Sequence, residues 1–96
     1  MKLPLTDLRV LSQKLLDYLE AQGHETLDLS QEYYWHIPKE AKYDQPVPPS
    51  PEVLSLGQLS FDWENLHSLL EGKNDPIGYD LVWLAAILRA LGESIT

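Results

Sequence analysis

The side chains that could do chemistry in this 96-residue chain begin with its histidines. His24, His36 and His67 lie twelve and thirty-one residues apart. No His-x-x-x-His pair puts two imidazoles on one helical turn, so the donor spacing of a zinc site is missing. Glu64-Asn65-Leu66-His67 does form a Glu-x-x-His step. Carboxylate-bridged di-metal bundles need two such steps and two more glutamates on facing helices. A single step reads as a histidine at the border of an amphipathic helix, and the expectation is no metal and no other cofactor. Nucleophilic chemistry needs an activated Ser, Thr or Cys beside a base. The chain has no cysteine and no Gly-x-Ser-x-Gly turn, and its five glycines are scattered rather than grouped into a phosphate cradle. Any two of the fifteen carboxylates could meet in space, and the sequence favours no pair. No catalytic residue is assigned.

Three features remain. Tyr33-Tyr34-Trp35-His36, with Trp63, could line a ligand groove or form a partner contact, because aromatic side chains concentrate in both. In so small a chain the plainer expectation is core, with Trp35 and Trp63 in it or beside it. Asp80 falls by helical spacing inside the arc of Leu84, Ile87 and Leu91. A carboxylate there needs a hydrogen-bond partner, such as a tyrosine hydroxyl, a backbone N–H or Arg9. The sharper alternative is an acid poised in a pocket. Pro46-Val47-Pro48-Pro49 matches Pro-x-x-Pro, a ligand pattern for aromatic grooves. A rigid connector is the plainer reading.

These residues must be carried by a small number of elements. A first helix is expected over about 6–22. Thr6 would be its N-cap, Asp7 would sit in its first turn, and Gly23 would follow its end. Leu8, Leu11, Leu15, Tyr18 and Leu19 share one stripe. Thr26 to Ser30 alternates polar and apolar, suggesting a short strand over about 26–29, and 53–56 reads as a second that could pair with it. Between them, 31–37 leans to extended structure before Pro38, and the proline run 46–51 excludes helix. A further helix over about 60–71 would start at Ser60 and place Trp63, Leu66 and Leu70 on one face. The last, about 76–91, has Asp75-Pro76 as its start signal and Gly92 as its stop. Its stripe Ile77, Leu81, Leu84, Leu88, Leu91 stands nearly opposite a second one of Tyr79, Trp83, Ala86 and Ala90. The fold expected is mainly α: one domain over 1–96, a small irregular bundle of three main helices with an extended proline-rich middle and two short strands.

Charge acts mainly by exclusion. Seven bases against fifteen acids give a net −8. Residues 1–24 carry three of each, whereas 25–72 carry nine acids against Lys39 and Lys42, a balance of −7. Such a surface repels nucleic acid and anionic membranes and tolerates a basic protein partner. The N-terminal segment is broken by polar residues too early for a secretory leader, and the longest apolar run, Leu81 to Leu88, is far short of a span. A cytoplasmic protein is expected.

In YYWHIP, GQLSFDWENL and DPIGYDLVWLAAILRALGE the chain resembles a small family of uncharacterised bacterial proteins, over about residues 30–93. The resemblance implies a bacterial, single-domain protein and carries no activity, cofactor or site.

Two expectations follow. The first is a non-enzymatic interaction or regulatory module, one version of which neutralises a basic partner. In it the first helix and helix 60–71 cover the Ile77–Leu91 face, leaving Tyr79, Trp83, Ala86 and Ala90 either to form a homodimer or to be covered within the chain by the aromatic segment 33–37 and the proline run. The second is a small-molecule binder or minor enzyme with a cleft lined by Tyr33, Tyr34, Trp35, His36 and Trp63.

Overall fold

Each apolar stripe becomes a helix, and the aromatic run becomes a strand. The computed structural model describes residues 1–37 and 55–96. In chain order these form α1 (Leu5–Ala21), β1 (Tyr33–His36), β2 (Ser55–Gln58), α2 (Leu59–Leu70) and α3 (Tyr79–Ser94). Val53, Leu54 and the proline run 46–51 lie outside the described residues.

The helix ends show which local signals operate. Gly23 and Gly72 adopt φ of 90° and 74°, a left-handed turn that glycine enters without a Cβ clash. Around each, two backbone bonds close the helix in the Schellman pattern. His24 N–H donates to the Leu19 carbonyl and Gly23 N–H to Glu20, as do Lys73 to Ser68 and Gly72 to Leu69. The expected starts are corrected. Pro4, not Thr6, precedes α1, with no side-chain cap. Ser60 lies inside the first turn of α2, where its N–H donates to Glu32 Oε1 at 3.1 Å and its hydroxyl donates to the same oxygen. Asp75-Pro76 does not open α3, which begins at Tyr79. Asp80 Oδ2 accepts the Ile77 N–H at 2.8 Å, and the Ile77 carbonyl accepts the Asp80 N–H. That reciprocal pair closes a turn just ahead of α3, whose N-cap, Gly78, receives no side-chain cap. Gly92 does not stop α3, which runs on to Ser94.

The sheet differs from expectation in one strand. Residues 26–29 form no strand. β1 instead pairs antiparallel with β2, in the register Tyr33–Gln58, Tyr34–Gly57, Trp35–Leu56 and His36–Ser55. The peptide bond after β2 continues this docking, since Leu59 N–H donates to the Glu32 carbonyl at 2.7 Å.

α2 packs against α3 and touches β2. Leu59, Leu66, Ala90 and Leu91 are buried there, and Leu19 is buried near the end of α1. The expectation that α1 covers α3 is overturned. α1 packs extensively along no other described element, and its Leu8, Leu11, Leu15 and Tyr18 stand exposed. Both faces of α3 are covered only in part: on the second, Ala90 is buried and Trp83 and Ala86 half-buried while Tyr79 is exposed, and on the first, Leu91 is buried while Ile77, Leu81, Leu84 and Leu88 are exposed. No helix among the described residues is long and apolar enough to cross a membrane.

Candidate interaction groove

Strand alternation splits the aromatic run. Tyr33 and Trp35 point outward and are exposed, Trp35 by 67%. Tyr34 and His36 point inward and are half-buried, their rings tilted against each other at 6.2 Å. The expected core position of Trp35 is therefore not observed, nor that of Trp63, which is 49% exposed. Pleating allows only every second residue of a strand to face the helices.

Tyr34 is held from two sides. Its ring lies across Gly57, its partner in the register, so closely that a Cβ at that position would overlap the ring. A glycine with an aromatic ring laid over it is a recurrent cross-strand device. The ring then carries the hydroxyl to α2, where it donates to Asp62 Oδ2 at 2.5 Å. Asp62 is 3% exposed, a buried carboxylate at the first turn of its helix, and the tyrosine meets its need for a donor. Burial first, and the Asp62 hydrogen bond and charge next, push the Tyr34 hydroxyl far above its ordinary range. Tyr34 is thus fixed as a neutral donor rather than a proton-transfer group.

Between β1 and α3 lies a groove of about 710 Å³. On the strand side it meets residues 33–37, and on the helix side Tyr79, Val82, Ala86 and Ala90. Arg89 and Glu93 close its far end as an ion pair at 3.1 Å. Tyr79 packs edge-on against Trp83 at 5.1 Å, and Trp83 supports the groove without lining it. Four aromatic-run residues and three of the four suspected self-association residues therefore border one space.

Two other suspected residues lie elsewhere. Asp80 holds the turn that leads into α3 and is not in the groove. Trp63 lines a second cleft of about 500 Å³, with Leu27, Leu29, Leu59, Ile87 and Leu91. His67 donates from Nδ1 to Glu71 Oε1 at 2.8 Å, and Lys73 joins Glu71 at 3.1 Å. Lys73 first, then His67, holds the Glu71 carboxyl below its ordinary value. Among the described residues, no three His, Cys, Asp or Glu side chains converge as a metal cage.

Sequence reasoning missed Asp62 by assigning it only to the helix dipole. The signal was present: Leu59, Asp62 and Leu66 are three and four residues apart and share the inner face. Comparison with protein-family models, with curated proteins and with solved structures finds no match for the chain.

Proposed function

We propose that the chain is a non-enzymatic interaction module of a bacterial cytoplasm, using the exposed face of β1 and the adjoining groove to hold a protein partner. The observation that carries this reading is Trp35, 67% exposed beside a groove of about 710 Å³. A large exposed aromatic costs solvation and solubility unless a partner covers it, and such residues anchor protein interfaces. The net charge of −8 favours a basic partner and disfavours nucleic acid and anionic membranes. The polar residues with hydrogen-bond partners, such as Asp80, Asp62 and Glu93, serve helix ends, one strand–helix link and surface ion pairs.

The second reading, a small-molecule binder, rests on the 500 Å³ cleft, whose wall of leucines, Ile87 and Trp63 suits an apolar ligand. Affinity capture from the source cell with wild type and Trp35→Ala separates them. The module reading expects a cationic protein held by wild type and lost with the variant. Native mass spectrometry showing a small molecule on the chain, with no protein captured, would overturn it in favour of the cleft.

A further inference from the structure

The groove leaves two exposed apolar surfaces among the described residues unused. One is the stripe of α1: Leu8, Leu11, Leu15 and Tyr18, with Leu15 65% exposed. Its 3-4-3 spacing is that of a helix-packing seam. The other lies along α2 and α3 beside the segment that runs from Glu25 to Glu32. There Trp63, Ile87 and Leu91 line the 500 Å³ cleft, and Leu81, Leu84 and Leu88 stand exposed on the same flank of α3. Both surfaces belong to helices of similar length, 17 and 16 residues. No described helix or strand packs extensively over the α1 stripe or over Leu81, Leu84 and Leu88.

We propose that these two surfaces cover each other between two copies of the chain, α1 of each copy lying on the α2–α3 cleft of the other around a two-fold axis. Three observations choose a second copy as the occupant. First, the segment that leads out of α1 forms the edge of the cleft, through Glu25, Thr26, Leu27 and Leu29. A helix carried on that rim reaches the partner's cleft by exchange, a low-cost route to a closed dimer. Second, a chain of charge −8 repels its own copy mainly through residues 25–72, which carry −7. Residues 1–24 carry three bases and three acids, so α1 can approach another copy without adding like charge. Lys14 borders its stripe, as does Asp7, and the proposed arrangement brings that lysine toward a cleft rimmed by Glu25 and Glu32. Third, the area suffices. Each half-exposed leucine that becomes buried removes on the order of 50–100 Å². The stripe and the cleft of one copy together therefore approach the ~800 Å² that each partner gives to a standard interface.

The proposal goes beyond the groove reading, uses a different face, and replaces Tyr79, Trp83, Ala86 and Ala90 as the self-association surface. Its test uses the whole chain. Light scattering on a gel-filtration column should give twice the 11.0 kDa mass of one chain. Leu11→Glu and Leu84→Lys should each yield folded monomer by circular dichroism, weakening the dimer on the order of a hundred-fold or more. Mixed one to one, they should regain the dimer, because the heterodimer sets the introduced carboxylate against the introduced ammonium at one contact and keeps native leucines at the other. If Leu11→Glu unfolds alone, Leu15→Ser serves as the milder break, with the same loss of mass expected. A monomeric wild type would overturn the proposal. So would a dimer unchanged by both variants, or monomeric variants that stay monomeric when mixed, as packing within one chain requires. Trp35→Ala should leave the dimer intact, so failure of the groove reading and failure of this one are separable.

Discussion

The sheet side of α2 and the stripe of α1 are built from similar apolar residues and end in opposite states. On α2, Leu59, Asp62 and Leu66 are buried, and a polar link fixes them: Asp62 to Tyr34, with Tyr34 seated on Gly57. On α1, a wider leucine stripe with a glycine-closed end packs extensively along no other described element. Amphipathicity thus specifies that a face wants cover but not what covers it. What decides is the link that brings a partner near. Glu32 supplies one by docking β1 onto the start of α2 through backbone and side chain. α1 has no equivalent, since its described side-chain hydrogen bonds are local, such as Gln13 to Asp17 at 2.8 Å.

Substitutions can widen or erase that contrast. The largest effect is expected at Leu66, 8% exposed: Leu66→Ala should cost about 2–5 kcal/mol. The matched Leu11→Ala, measured in dilute monomer, should stay within about 0.5 kcal/mol. Urea unfolding of the two gives the comparison directly, and equal costs would mean that α1 is packed. Next comes Tyr34→Phe, which leaves the Asp62 carboxylate buried without its donor and should cost about 1.5–3 kcal/mol. In a domain of this size that lowers Tm by roughly 6–24 °C. Gly57→Ala should cost about 1–3 kcal/mol by displacing the Tyr34 ring. Its cost should shrink in a Tyr34→Ala background, and a double-mutant cycle with no coupling would break the seat-and-link account.

The smallest expected effect is a pH dependence. Hydrogen bonds from the Ser60 hydroxyl and then its N–H hold the Glu32 carboxyl below its ordinary 4.5. A lowered folded value means that the stabilisation is present above 4.5 and is lost as pH falls through the folded value. Thermal melts should therefore show a small loss on acidification that Glu32→Gln lacks. The Tyr34 hydroxyl, raised above its ordinary 10.0, has the opposite sign: its contribution is complete below that value and is lost as pH rises beyond it. Tyr34→Phe should remove that alkaline loss.

Much of this architecture was legible in residue spacing. α1 and α2 fall within one residue of their expected bounds at each end, because stripe and terminal glycine agree there. α3 is displaced because Asp75-Pro76 and Gly92 are strong local signals overridden by their context. Asp80 closes the turn at Ile77 from which α3 sets out, and helical hydrogen bonding carries through Gly92. The strand expected at 26–29 failed because alternation does not say which of two extended stretches reaches a given edge. The partner of β2 is chosen by long-range contacts, the Tyr34 ring over Gly57 and Glu32 at Ser60, which no local window contains. The site was half legible. The aromatic run and Tyr79 do meet at one groove, but the buried carboxylate is Asp62, while Asp80 serves a helix start.

Amide hydrogen exchange, followed by mass spectrometry at two protein concentrations, tests the central claim most directly, because it reads the cover of α1 without any substitution. Intermolecular cover predicts that α1 amides are protected in concentrated protein and exchange rapidly on dilution, whereas amides of α2 and α3 around Leu66 and Ala90 stay protected at both concentrations. Protection of α1 that does not change with concentration would contradict the account, and so would an α1 that exchanges freely at both.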